Sequence, residues 1–338
     1  MNKCFVFLNT FSIYDCMKIL VFGAGVIGTT YAWQMWEAGH DVSLLVRKQR
    51  LVRYSHSGVT ITCTDVRGKE KEYKKTVFRP KTIDRLDGKE AFDLIIVAVK
   101  NYQLHDAVPY IAKFGGHAPI LFLGHLWNEF AMIEKHLPKG RYFFGLPAMV
   151  LGTQALGGIN CYLFGDNHTF LGEPNGKLSK RMQDLAAILK SSGLQPKVVT
   201  SIEARIRGHF AWQAAMLGPV IKAGSFRLFA ENNKLIAQSM HGIKEVLSFS
   251  RKSGLKADSI FPFWMLQMPV FLVIPFLKKS LNPTMQAALE AQLKYGFEEI
   301  KVQFQELIKL GKKTGEDMPY LKSFEKYLPE GEKKYLQQ

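Results

Sequence analysis

The sequence contains few cysteines, and their spacing excludes two classes of protein. Cys4, Cys16, Cys63 and Cys161 form no Cys-x-x-Cys pair and show no spacing typical of metal ligands. A chain of 338 residues with this pattern resembles neither a small disulfide-stabilised secreted domain nor a zinc-binding module. The cysteines therefore predict a reduced, cytoplasmic protein, and no metal site is predicted.

Acidic residues are also scarce. The 29 Asp and Glu residues stand against 45 Lys and Arg residues, which gives a net charge of +16. The basic residues are scattered rather than clustered, and no RNA-binding or zinc-finger pattern is present. The favoured use of this charge is attraction of small anions, meaning nucleotide phosphates and an acidic substrate, and nucleic-acid binding is the alternative.

Long uninterrupted apolar runs are missing as well. The most apolar segment covers residues 261–277, and Pro262, Pro269 and Pro275 interrupt it. Buried core or a homodimer interface is the favoured interpretation, with a wall for an apolar substrate or a membrane contact as alternatives. Residues 1–16 do not predict a signal peptide. Because a strand begins directly after Met17, they are predicted to be an extension or a misassigned start.

Residues 18–47 predict a dinucleotide-binding unit. A buried strand over residues 19–22 leads into Gly-x-Gly-x-x-Gly, and a helix and a second strand follow. The glycines provide a tight turn, close approach of a pyrophosphate and close packing of the helix on the strand, while the start of the helix offers free N–H groups. The alternative is a nucleotide-free domain with an accidental match. The predicted phosphate-binding residues are Gly23, Ala24, Gly25, Val26, Ile27 and Gly28.

The end of the second strand indicates which dinucleotide is bound. A site that prefers NAD usually has Asp or Glu there, holding the ribose 2′-hydroxyl. This chain has Val46, Arg47 and Lys48 instead. Arg47 is placed to meet a 2′-phosphate, which predicts NADP(H), and a solvated surface arginine is the alternative.

Strand signals continue to Thr200, and helical periodicity replaces them from Ile202. This pattern predicts an α/β Rossmann-type domain over residues 17–200 and an all-α substrate or dimerisation domain over residues 201–330. The cleft between two domains is the default ligand site. Within the first domain, residues 158–164 and 168–171 are predicted to pair as antiparallel strands joined by residues 165–167.

From Met17 onward, the chain resembles the ketopantoate reductases (2-dehydropantoate 2-reductases). The resemblance rests on residues 17–28, on Gly39-His-Asp-Val and Arg47, and on Val97-Ala-Val-Lys-Asn-Tyr-Gln. It implies reduction of a 2-oxo acid by NADPH in the interdomain cleft, a reaction of pantothenate biosynthesis. It also implies that Arg47 and Lys100 contact the 2′-phosphate side of the cofactor, although a lysine that caps a strand would look the same.

The family's catalytic pattern, Lys-x-x-x-Asn-x-x-x-Asn, falls here on His209, Gln213 and Leu217. His209 is the candidate general acid, since an imidazole with a pKa near ~6.5 can protonate a developing alkoxide. Gln213, one turn later on the same helix face, would orient a carbonyl or carboxylate. A hydrogen-bonded core histidine is the alternative for His209.

Other candidates surround this helix and the central strands. His125, at the end of a central strand, is predicted to bind the cofactor and is the second candidate acid. The family's late glutamate falls near Gly296, where Glu290 or Glu298 could serve. The favoured function is reduction of a small anionic 2-oxo acid or an apolar ketone, and an NADP(H)-binding sensor without turnover is the alternative.

Overall fold

The computed structural model describes residues 16–165, 167–252 and 262–328. The chain divides into two units, one ending at Glu203 and the other beginning at Ala204, and each is described by itself. The division lies close to Thr200, where strand signals end in the sequence. Apart from Cys16, the predicted extension over residues 1–16 lies outside the described residues.

The first unit contains the strands and five helices of the chain's α/β part. In chain order the strands are β1 (Lys18–Phe22), β2 (Asp41–Leu45), β3 (Val59–Val66), β4 (Glu72–Phe78), β5 (Lys81–Ile83), β6 (Leu94–Val97), β7 (Ile120–Leu123), β8 (Tyr142–Pro147), β9 (Val150–Ala155), β10 (Gly158–Phe164), β11 (Thr169–Gly172) and β12 (Pro196–Val198). The helices are α1 (Val26–Glu37), α2 (Lys48–Ser57), α3 (Leu104–Phe114), α4 (Glu129–His136) and α5 (Lys180–Ser191).

An eight-stranded sheet in the order β12-β11-β8-β7-β6-β1-β2-β5 forms the centre of this unit. The pairs from β8 across to β5 are parallel, and β11 joins β8 in the antiparallel direction. Strands such as β6 are buried along their whole length, as their continuous apolar sequence predicts for a parallel sheet covered on both faces. The predicted Rossmann-type fold class is confirmed.

A second sheet of four strands, β4-β3-β10-β9, packs on α1. Arg67, just after β3, forms hydrogen bonds that link the second sheet to other parts of this unit. Its guanidinium binds the Asp65 carboxylate and donates to Gln34 Oε1 of α1 at 2.9 Å and to the Gly193 carbonyl at 2.7 Å. One half-buried side chain therefore connects the second sheet, α1 and the turn after α5.

The predicted antiparallel pairing of residues 158–164 with 168–171 is wrong. β10 pairs with β9 and β3 in the second sheet, whereas β11 pairs with β8 and β12 in the first. The two strands therefore belong to different sheets, although they follow each other in sequence. Alternating apolar residues indicate that a strand forms, but they do not specify its partner.

All regular elements described in the second unit are helices. Its helices are α6 (Ile202–Ala223, which starts just before the division), α7 (Phe226–Glu231), α8 (Asn233–Lys252), α9 (Val270–Ser280), α10 (Pro283–Thr314) and α11 (Pro319–Lys322). Its buried residues include Phe210, Ala214, Ile236, Ile243 and Leu307. The predicted helical C-terminal region is thereby confirmed.

The apolar segment predicted over residues 261–277 is described from Pro262 onward, and Phe261 lies outside the described residues. Phe263 and Val273 are buried, as predicted for core, but Phe271 is 70% exposed. The Phe263 ring packs against α6 at Gly208, where a Cβ would come within 2.4 Å of the ring. Among the described helices, none is long and apolar enough to cross a membrane.

Candidate functional site

The glycine turn after β1 has a backbone shape that only glycine accommodates at two positions. Gly23 has φ = +119°, and a Cβ there would lie 2.5 Å from the Ala98 carbonyl oxygen. A Cβ at Gly28 would lie 1.9 Å from the Gly23 carbonyl oxygen. At Gly25 a Cβ would meet no atom within 4 Å. Gly23 and Gly28 are thus required by the protein's own packing, whereas Gly25 leaves the approach open for a ligand such as a pyrophosphate.

Helix α1 begins immediately at this turn, with Gly25 as its N-cap and no side-chain cap. The N–H groups of its first turn, from Val26 onward, have no partner within the helix. The first turn of α1 also carries no acidic residue. A helix start of this kind attracts an anion through its free N–H groups and the positive end of the helix dipole.

The turn lies where the order of the central sheet reverses. β1 pairs with β2 on one side and with β6 on the other, so the connections from β1 diverge at its carboxyl end. Gly23 contacts the carbonyl of Ala98, two residues before Lys100. The structure therefore brings three predicted cofactor-binding regions to one edge of the sheet: the glycine turn, Arg47 after β2 and Lys100 after β6.

Arg47 is exposed and forms the N-cap of α2, directly after β2. The first turn of α2 contains no acidic residue. Where a carboxylate would hold a ribose 2′-hydroxyl, this chain therefore presents a guanidinium.

Arg50 is a contributor that reasoning from the sequence missed. It lies one helical turn after Arg47, and its Nη1 donates to the carbonyl oxygen of Ala24 at 2.8 Å. Arg50 thus connects α2 to the glycine turn and adds a second positive charge beside it. Its spacing of three residues from Arg47 was a usable signal, since such residues share a helix face.

Lys100 and His125 are both half-buried. Lys100 precedes the short 3₁₀ helix Asn101–Gln103, and its backbone N–H donates to Gln103 Oε1 at 3.2 Å. Its Nζ lies 5.9 Å from the centre of the Tyr102 ring. His125 follows β7, which is separated from β1 by β6, so it lies further from the glycine turn. Lys100 is thus the N-cap of this 3₁₀ helix, and a cofactor contact stays a prediction for both residues.

In the second unit, His209 and Gln213 lie one turn apart on α6 and are both half-buried. Gln213 lines a cavity of about 60 Å³ between α6 and α10, whereas His209 is not part of its wall. Gln213 Oε1 is buried and has no hydrogen-bond partner among the described residues. The other lining residues are Trp212, Met216, Leu217, Val220, Phe226, Leu281, Leu289, Gln292, Leu293 and Ile300. Gln213 is thus a polar group in a mainly apolar cavity.

The two candidate glutamates on α10 have different surroundings. Glu290 Oε2 accepts a hydrogen bond from the backbone N–H of Phe226 at 2.8 Å, so this carboxylate caps the start of α7. Glu298 Oε1 is buried and has no hydrogen-bond partner in the described part of the chain. Of the two, Glu298 is the one whose carboxylate is not already used by a helix start.

Comparison with known proteins finds a similar family. Residues 19–176 match the model of the family described as Ketopantoate reductase PanE/ApbA. This part of the chain is therefore similar to the ketopantoate reductases. The matched range contains the glycine turn, Arg47, Lys100 and His125, and it ends before α6. The roles of His209 and Gln213 therefore stay predictions.

Relatives extend the likeness beyond this range. The 2-dehydropantoate 2-reductase of Aquifex aeolicus (strain VF5) is 22% identical over 313 residues, covering 90% of this chain and 93% of that protein. The protein named "Uncharacterized oxidoreductase YkpB" of Bacillus subtilis (strain 168) is 27% identical over 267 residues, covering 72% and 77%. The predicted resemblance to the ketopantoate reductases is confirmed.

Solved structures support the fold. The ternary structure of D-mandelate dehydrogenase with NADH and anilino(oxo)acetate superposes with a TM-score of 0.73 at 18% identity, covering 92% of this chain and 97% of that chain. At this level of identity the likeness establishes a shared fold alone.

Proposed function

We propose that this chain is an NADP(H)-dependent reductase of a 2-oxo acid or a related ketone. The matched family is that of the ketopantoate reductases, and the Aquifex aeolicus relative is named as a 2-dehydropantoate 2-reductase, an oxidoreductase acting on a ketone or the corresponding alcohol. The observation that supports the cofactor part is Arg47, which directly follows β2, where an NAD site would hold a carboxylate.

Bound NADPH would supply the hydride for this reaction. The chain must then hold the substrate carbonyl in position and deliver a proton to its oxygen. In this proposal His209 provides the proton, and the Gln213 amide orients the carbonyl or the carboxylate of the substrate.

The cavity around Gln213, at about 60 Å³, is too small for a whole substrate, but its wall favours a small apolar group over a polar one. Among the described lining residues, the polar groups besides Gln213 are Gln292 and the indole of Trp212, and the other side chains are hydrocarbon or thioether. We therefore propose an apolar 2-oxo acid or ketone in preference to a polar, hydroxylated one. Burial of such a side chain is favourable by about 25 cal/mol per Å² of apolar surface.

The test is a panel of 2-oxo acids and ketones, graded by side-chain size and polarity, with consumption of NADPH followed by absorbance. The expected result is steady turnover that is faster, as kcat/KM, for apolar members than for hydroxylated ones of equal length. A preference for hydroxylated members would overturn the substrate class alone. Tight binding of NADPH without turnover across the panel would overturn the reductase and favour an NADP(H)-binding sensor.

A further inference from the structure

A second cavity lies in the first unit, at the edge of the central sheet where strands begin. It has a volume of about 470 Å³. Its wall is formed at the starts of β1, β6, β7 and β8 and by α5, and it includes Met17, Asp93, Pro119, Arg141, Arg181 and Ile188. We call it the amino-edge cavity. The glycine turn follows the other end of β1, roughly 16 Å away for a strand of this length, so the two sites are separate.

Arg141 is the unusual residue of the amino-edge cavity. Its Nε donates to the Ala118 carbonyl in a long hydrogen bond of 3.4 Å. Its Nη2 is buried and has no hydrogen-bond partner among the described residues, none of which forms an ion pair with it. Burial lowers the pKa of this guanidinium. A partly buried charge without a counter-charge is costly, and an anion beside it would offset that cost.

The other charged groups around the amino-edge cavity are largely engaged. Arg181 binds the buried carboxylate of Glu173, and its guanidinium stacks on the Phe143 ring, 4.4 Å from the ring centre. Asp184 forms an ion pair with Lys180.

Three charged side chains of the wall, and one histidine, lie outside those pairs. Asp93 Oδ2 accepts a hydrogen bond from the backbone N–H of Lys18 at 2.8 Å. Lys139 and Arg141 provide two positive charges, compared with the one negative charge of Asp93. His117 lies at the exposed rim. The balance of charge in the cavity is therefore positive and is centred on Arg141.

The remaining wall is apolar and includes Leu94, Phe143, Leu185 and Ile188. A guanidinium beside an apolar surface suits a ligand with a carboxylate or phosphate at one end and an apolar body at the other. Arginine binds such planar or tetrahedral anions with paired hydrogen bonds. A volume of about 470 Å³ is within the range of small-molecule sites.

We propose that the amino-edge cavity is a second ligand site, which binds a small organic anion with an apolar body through Arg141. Binding there leaves the glycine turn free, so this ligand and NADP(H) occupy the chain together. The proposal does not depend on the reductase activity.

The probe is phenyl phosphate, with inorganic phosphate and benzyl alcohol as the anion-only and apolar-only comparisons. The full chain is first saturated with NADP⁺, so that the glycine turn cannot bind the probe, and binding is measured by calorimetry. We expect phenyl phosphate to bind at least about tenfold more tightly than either comparison. Equal affinity for inorganic phosphate would overturn the apolar part of the proposal, and no binding of phenyl phosphate would overturn all of it.

Variants assign the binding to the amino-edge cavity. Arg141→Gln should weaken phenyl phosphate by at least about tenfold, as loss of a charged hydrogen bond predicts. Lys190→Gln, on the same helix as Arg181 but outside the cavity wall, is the matched loss of charge and should have no effect. If Arg141→Gln does not fold, Ile188→Glu, which adds a carboxylate to the wall, should abolish binding. Unchanged binding in either cavity variant would refute the assignment.

Discussion

Arg47 caps the start of α2 and Arg50 lies one turn later, and the two side chains have different surroundings. Arg47 is exposed at the end of β2, whereas Arg50 donates to the Ala24 carbonyl within the glycine turn. If Arg47 binds the 2′-phosphate, Arg47→Ala should weaken NADPH and leave NADH almost unchanged. If Arg50 supports the turn, Arg50→Ala should weaken both cofactors by the same factor, because both have the pyrophosphate.

The magnitudes follow from the contacts. A hydrogen bond between charged groups contributes about 1.5–3 kcal/mol, so Arg47→Ala should reduce the preference for NADPH by about 10- to 150-fold. The Arg50 bond joins a half-exposed cation to a neutral carbonyl, and solvent screening reduces its value to about 1 kcal/mol. That corresponds to about fivefold in Kd for each cofactor.

Both dissociation constants can be measured by quenching of tryptophan fluorescence at one fixed ionic strength. Arg53→Ala is the matched control, since Arg53 is exposed on α2 one turn beyond Arg50. Arg53→Ala should change the two dissociation constants only slightly, because it removes one charge that is distant from the cofactor. Equal binding of NADPH and NADH by the unmodified chain would refute the role of Arg47. A loss confined to NADPH in Arg50→Ala would show that Arg50 contacts the phosphate directly.

Three further predictions test other parts of the structure. Gly23→Ala should abolish NADPH binding and lower the melting temperature, because Gly23 has φ = +119° and a Cβ there would lie 2.5 Å from the Ala98 carbonyl oxygen. Normal NADPH binding would contradict this geometry of the turn. His209→Ala should reduce kcat by about 10²–10⁴-fold with the NADPH Kd retained, and an unchanged kcat would remove His209 from the mechanism. Burial alone would raise the pKa of Asp65, but hydrogen bonds and charge from Arg67 hold this pKa below 3.8. The loss of unfolding free energy in Asp65→Asn, measured by urea unfolding, should therefore be complete above that pH and should shrink as the pH falls below it. A loss of unfolding free energy that does not depend on pH would contradict this.

The sequence was sufficient to predict the cofactor half of the fold because its signals are local. The apolar strand, the glycines and the start of α1 follow one another within about a dozen residues. The φ angle of Gly23 and the exclusion of a Cβ at Gly28 are direct consequences of that order. The match to the family model lies in this same part of the chain, since the matched residues end at 176.

Contacts between distant residues could not be predicted in this way. β10 and β11 follow each other in sequence, but β10 pairs with the preceding β9 and the distant β3, whereas β11 pairs with β8 and β12. Glu290 and Glu298 are equivalent by position on a predicted helix. Only the fold shows that Glu290 caps α7 while Glu298 keeps a buried oxygen without a described partner.

This difference between local and distant signals also explains why the cofactor is better determined than the substrate. The turn that would hold the pyrophosphate is built from backbone, so its shape persists while side chains around it change. The proposed substrate-facing helix α6 depends on side chains instead, and the resemblance predicts that the family's Lys and Asn pattern falls there on His209, Gln213 and Leu217. Leu217 and Gln213 line one cavity, so on this prediction its wall is more apolar than the family's pattern would make it. A pocket changed in that direction disfavours a hydroxylated substrate, because a hydroxyl buried there without a partner costs about 1–3 kcal/mol. Gln213→Leu should therefore raise KM for every 2-oxo acid, whereas Leu217→Asn should improve kcat/KM for hydroxylated members of the panel relative to apolar ones.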